Sequence, residues 1–98
     1  MGQSKIGQVA RIGRALAHPM RVKVLDVLGR TGKASPADLS RAGIGDLPHV
    51  NYHTLELAKL GFVRVKSERP VRGATEHFYV LTPLGQLVIG LMADLPDE

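Results

Sequence analysis

Between Ser35 and Gly61 the chain reads SPADLSRAGIGDLPHVNYHTLELAKLG, a stretch in which nearly every boundary of local structure is spelled out. Ser35 suits an N-cap, Pro36 suits the first helical position because an N–H there would have no partner, and Asp38 stands where the acid of a capping box stands. Gly43 supplies a left-handed residue to end that helix. After the turn Gly43-Ile44-Gly45, Asp46 is placed to cap a second helix that begins near Pro48 and ends at Gly61. Two short helices joined by a tight glycine-bearing turn predict a helix-turn-helix.

On the second of these helices Val50, Thr54, Leu57 and Ala58 share one face, while His49, Asn51, Tyr52, Leu55, Glu56 and Lys59 cover the rest. The first face is expected to pack inward, leaving the second free to read a partner. Upstream, residues 5–17 space Ile6, Val9, Ala10, Gly13 and Ala17 as a helix whose glycines make it weak unless another surface supports it. His18-Pro19 breaks the chain, and Pro19 opens a helix reaching Leu28 or Arg30 with Val22, Val24, Leu25, Val27 and Leu28 so dense that burial on more than one side is expected.

After Gly61 the apolar period falls to two. Residues 62–66 alternate apolar and basic, residues 77–81 are β-prone, and the polar run from Ser67 to Glu76, with Pro70 and Gly73, reads as a loop. The two strands form a hairpin with a projecting tip, whose outer face carries Arg64, Lys66, Arg69 and Arg72. Thr82-Pro83 repeats the cap-then-proline start, and Leu84, Leu87, Val88, Leu91, Met92 and Leu95 form one stripe of a last helix. The predicted fold is mainly α with a two-stranded β-hairpin wing, a winged helix-turn-helix of order α-α-α-α-β-β-α, spanning 1–98 as a single domain.

Charge is unevenly distributed along the chain. Residues 1–33 carry seven Lys/Arg against one Asp, residues 34–82 six against five, and residues 83–98 three acids and no base. A basic body with an acidic tail points to a polyanion partner. The absence of cysteine excludes disulfides, thiolate zinc sites and cysteine nucleophiles. The longest apolar stretch, Leu84 to Leu95, is short and interrupted by Gly85, Gln86 and Gly90, and Met1-Gly2-Gln3-Ser4-Lys5 leads into a mixed polar segment. A cytoplasmic protein with no membrane partner is expected.

Four ordered segments, ALAHPMRVKVLDVL, SPADLS, HVNYHTLELAKLGFVRV and HFYVLTPLG, resemble the ArsR-type transcriptional repressors and their close winged-helix relatives over roughly residues 12 to 85. Thr54 stands where that family usually carries leucine, and the wing loop, with Pro70, is somewhat long. The resemblance implies a regulator of transcription, a repressor, that binds double-stranded DNA as a homodimer on an inverted repeat. It also implies dimerisation through the first and last helices, about 5–17 and 83–95, with Ile6, Val9, Leu84, Leu87, Val88, Leu91, Met92 and Leu95 in the interface.

Chemistry agrees with that implication. Asn51 suits adenine, His49 and Tyr52 suit base edges or phosphate, Leu55 suits a thymine methyl, and Lys59 lies on the same outer helix surface. The hairpin cations suit backbone or minor groove. A merely solvated face accounts for any one of the helix residues; four cations on one hairpin, softened by Glu68 and Glu76, favour nucleic acid. His49 and His53 are spaced i, i+4, but Glu56 is the only nearby carboxylate, the family's thiolates are missing and the last helix lacks histidine. No metal or other cofactor is expected, and the likeness is to non-metal-sensing members. No nucleophile with its base and no phosphate loop is assembled, so no enzyme is expected. Two other readings fit the pattern: a winged-helix protein-interaction module, and an architectural or recombination accessory factor. A small-molecule effector is not legible.

Overall fold

The computed structural model describes residues 4–97. Its elements run α1 (Lys5–Ala15), α2 (Pro19–Thr31), α3 (Pro36–Arg41), α4 (Leu47–Leu60), β1 (Val63–Val71), β2 (Ala74–Leu81) and α5 (Pro83–Ala93). This is the expected winged helix-turn-helix order.

Local punctuation is the reason. At α3 the Asp38 amide donates to Ser35 Oγ at 3.1 Å and the Ser35 amide donates to Asp38 Oδ2 at 3.1 Å, a complete capping box. Thr82 Oγ1 accepts from the Gly85 amide to start α5, and Gly43 and Gly61 end their helices at φ 89°. Asp46 departs from expectation. It is the N-cap residue of α4 by position, but its carboxylate bonds the His49 ring at 2.6 Å and caps no backbone amide.

The core is built by Val24, Leu25 and Leu28 of α2, Leu39 of α3, Val50 and Leu57 of α4, Phe62, Tyr79 and Val88. The inward face of α4 is the predicted one, with Thr54 fully buried and its hydroxyl donating to the Val50 carbonyl at 2.7 Å. That bond satisfies a polar group where the family's leucine would need none. Arg21 is buried in α2 alongside Val24, Leu25 and Leu28. A two-way bridge, Ala34 amide to Tyr79 carbonyl and Tyr79 amide to Ala34 carbonyl, fastens β2 to the segment entering α3.

The wing loop and the extent of the last helix need revision. The run from Ser67 to Glu76 is mostly strand, since β1 and β2 pair from Val63↔Leu81 to Val71↔Ala74 and leave Arg72-Gly73 as the turn. Each strand of a two-stranded ribbon has a free side, which tolerates Pro70 and polar residues that a central strand would reject. A bulge between Val65 and Ser67 leaves Lys66 without a register partner. At the N-terminus, Ile6, Val9, Ala10 and Gly13 face outward, and among the described residues of α1 Ala15 alone is buried. α5 ends at Ala93, so Leu95 lies beyond it.

The start of α5 is locked against the exit of α4. Thr82 Oγ1 donates to the Gly61 carbonyl at 2.6 Å, and the Thr82 amide donates to the Phe62 carbonyl at 3.0 Å. A Cβ at Gly85 would lie 2.2 Å from the Phe62 carbonyl oxygen, a backbone atom that cannot swing aside. Gly85→Ala is therefore expected to destabilise the fold by roughly 2–3 kcal/mol, seen as a lowered urea midpoint. An unchanged midpoint would mean that α5 does not sit against this carbonyl.

Candidate nucleic-acid interface

α4 projects one side from the body, exposing His49, Asn51, Tyr52, Leu55 and Lys59. The wing exposes Arg64, Lys66, Arg69 and Arg72. Of these, Asn51, Leu55 and Arg69 line one cleft between helix and wing, and the electrostatic states of the exposed residues differ. His49 is engaged with Asp46, and Lys59 with Glu56 at 3.1 Å. The bond from His49 holds the Asp46 carboxyl below its ordinary range. Arg69 pairs with Glu76 at 2.7 Å and lies over the Phe78 ring, which Lys33 also approaches. Among the described residues Arg64, Lys66 and Arg72 enter no ion pair, so their charge faces solvent uncompensated at close range.

What positions the wing is a buried hydroxyl. Ser35 is fully buried, and its Oγ, already accepting from the Asp38 amide, donates to Glu76 Oε2 at 2.5 Å. Glu76 Oε1 accepts from Arg69 at 2.7 Å. The residue that starts the helix-turn-helix therefore also anchors β2, and through Glu76 it sets the direction of Arg69. The Ser35 hydroxyl and then Arg69 hold the Glu76 carboxyl below its ordinary range. The amide of Ser35 does the same for Asp38.

Between α3, the first half of α4 and the inner face of the wing lies a cleft of about 960 Å³. Leu47, Leu55, Val65 and Val71 form apolar walls, with Asn51 and Arg41 among the polar groups that open into it. Sequence reasoning did not single out Arg41, Leu47, Val65 or Val71. Val65 carried a signal, since it falls in step with Val63 along the strand; Val71 lies past the bulge, which shifts that alternation, and it, Arg41 and Leu47 carried none.

The terminal stripe divides. Leu87, Leu91 and Leu95 are more than half exposed, Leu84 and Met92 are half-buried, and Val88 is taken up by the protomer's own core at 1% exposure. Ile6 and Val9 on α1 are also largely exposed. His49 and His53 are bound separately: Arg21 Nε donates to His53 Nδ1 at 3.1 Å, and His49 bonds Asp46. Among the described residues no cluster of three or more His, Cys, Asp or Glu side chains is placed to hold a metal.

No family model matches the sequence, and no curated protein sequence matches it. Solved structures do. The transcriptional repressor BigR from Xylella fastidiosa superposes with a TM-score of 0.71 at 27% identity, covering 96% of this chain and 92% of its own. A homodimeric winged helix-turn-helix DNA-binding domain from Mycobacterium bovis, described as a possible ArsR-family regulator, gives 0.69 at 26% identity, covering 96% and 90%. A further ArsR family transcriptional regulator gives 0.66 at 25% identity, covering 95% and 89%. The resemblance to ArsR-type winged-helix regulators expressed in the four sequence segments holds in three dimensions.

Because the Glu76 carboxyl is depressed, the stability it supplies is complete at neutral pH and is lost as pH falls through the depressed value. Glu76→Gln should lower stability at pH 7 and flatten the acid side of the pH–stability profile. Equal acid sensitivity in the two proteins would remove Glu76 from the wing anchor.

Proposed function

We propose, from a fold shared with the ArsR-type regulators and from the charge presented beside α4, that this protein is a sequence-specific DNA-binding repressor of transcription acting as a homodimer. The observation that carries the reading is the exposure of Asn51, Tyr52 and Leu55 on α4 and of Arg64, Lys66 and Arg72 on the wing, with Asn51 and Leu55 sharing one cleft with Val65 and Arg69 of the wing. α4 enters the major groove, where Asn51 pairs with adenine and Leu55 meets a thymine methyl. The wing cations contact the flanking backbone or minor groove, and the cleft between helix and wing accommodates the intervening sugar–phosphate strand.

The second copy covers Ile6, Val9, Leu87, Leu91 and Leu95, which a lone protomer leaves in water. A two-fold dimer then places two reading helices roughly 34–36 Å apart, matching an inverted repeat with half-sites one helical turn apart. No helix among the described residues is long and apolar enough to cross a membrane.

Fluorescence anisotropy on the duplex upstream of the chain's own reading frame, with random duplex as competitor, tests the reading. Binding that survives the competitor and weakens steeply with salt is expected. Asn51→Ala should cost about 1–3 kcal/mol at one base position, whereas Arg64→Ala with Arg72→Ala should weaken all sequences and reduce the salt slope. Salt-sensitive binding lost to the competitor, together with bending of any duplex, would favour an architectural factor. No binding at low salt would favour a protein-interaction module using the apolar cleft walls.

The dimer has its own test. Leu87→Glu with Leu91→Glu should give monomers by sedimentation velocity while leaving the urea midpoint near wild type, because both side chains are mostly exposed in the protomer. A dimer persisting at micromolar concentration would place the interface elsewhere.

A further inference from the structure

α1 contributes Ala15 to the core, with Ile12 packed against it, and is tied to the rest of the protomer by polar links as well. Arg11 Nε and Nη2 both donate to the Leu60 carbonyl at the end of α4, at 3.2 and 2.8 Å. Arg21 Nη1 donates to the Arg14 carbonyl in the last turn of α1 at 2.8 Å, and its Nε donates to His53 Nδ1 in the middle of α4 at 3.1 Å. One buried guanidinium therefore spans α1, α2 and α4.

The chemistry of that span fixes the state of the imidazole. Arginine offers only donors and keeps its charge, so the His53 nitrogen facing it must be an acceptor and the neutral ring carries its proton on Nε2. Protonation converts Nδ1 into a donor pointed at a donor and sets two cations at hydrogen-bond distance. Every element around the ring contributes to the balance. Arg21 comes from α2, the His18 ring lies 5.0 Å away at the entry to α2, α1 presents the Arg14 carbonyl beyond Arg21, and α4 itself supplies His49 and Glu56. Glu56 is the sole group of these that favours a charged ring, and it is already paired with Lys59.

We propose that the Arg21–His53 contact is an acid-sensitive joint: a proton on His53 severs the bond from Arg21 to α4, leaving Arg11 as the remaining polar tie between α1 and α4, and weakens DNA binding. The DNA effect rests on the function proposed above; the joint itself does not. Burial, then Arg21, His18 and His49, hold the ring below its ordinary pKa. With a depressed folded value, the joint is intact at neutral pH and is lost as pH falls through that value.

The other histidines are common to both proteins when wild type is compared with a variant at 53 alone. His53→Asn keeps an acceptor near the Nδ1 position but does not titrate. Both proteins should bind the upstream duplex comparably at pH 7.5, and between pH 7.5 and 5.5 wild type should lose affinity relative to the variant by a factor short of the roughly tenfold that an unshifted ring would allow. Parallel pH profiles would overturn the joint. A measurement on unmutated protein guards against misfolding: nitrogen-15 spectra of the histidine rings should show His53 Nδ1 unprotonated at pH 7.5, with the Arg21 Nε–H resonance shifting as the ring titrates. A protonated Nδ1 at pH 7.5, or an Arg21 resonance that ignores the titration, would refute the proposal. If wild type binds no DNA at any pH, the functional reading fails while the ring spectra still decide the joint.

Discussion

Burial of the Ser35 hydroxyl is the interaction on which the geometry of the reading end depends. Alone, a serine N-cap is worth about 1 kcal/mol and concerns one helix. Here the same oxygen accepts from the Asp38 amide and donates to Glu76, so the start of α3 and the middle of β2 share one atom. Inside the protein each of these bonds is stronger than it would be in water, and losing one leaves the other partner exposed to the cost of an unmet polar group. Wing direction and helix-turn-helix geometry are consequently one property.

A chain of 98 residues gives a small core, and its distribution explains why polar ties matter. Val24, Leu25, Leu28, Leu39, Val50, Leu57 and Phe62 hold α2, α3 and α4 as a block. The elements outside that block add a few core residues, Ala15 from α1 and Val63, Tyr79 and Leu81 from the wing, and are further located by specific bonds: the wing by Ser35, Glu76 and the Ala34–Tyr79 bridge, α1 by Arg11 and Arg21. Apolar contact is tolerant of small shifts, whereas a bond to one carbonyl or one ring nitrogen is made or broken. Peripheral parts held in this way can respond to charge and to protons, which a hydrophobic core cannot.

Caps and glycines made the helical half legible, because Ser35, Asp38, Gly43, Gly61 and Thr82 act through neighbours three or four residues away. Most of what was lost involved partners distant in sequence, and one part lay close by. Asp46 satisfies the local rule for a cap but is drawn to His49 instead. The polar run 67–76 satisfies the rule for a loop, yet cross-strand pairing overrides it where a two-stranded ribbon has no buried center to demand apolar residues. Arg21 sits in the dense apolar pattern of α2, and nothing nearby in sequence announces that its partners are Arg14 and His53. The exposed stripe of α1 reads as apolar from sequence, but periodicity alone does not say which way it turns.

At the tip of the wing, Arg72 holds φ at 41°, followed by Gly73 at 80°. Two-residue hairpins of this handedness favour asparagine or aspartate before glycine, and a long side chain in that region costs roughly 1 kcal/mol. The chain accepts that strain at a residue whose guanidinium pairs with no carboxylate among the described residues. Variants chosen for heat resistance would tend to discard this arginine, while variants chosen for grip on a polyanion would keep it. The wing tip is thus a place where durability and recognition compete for a single side chain.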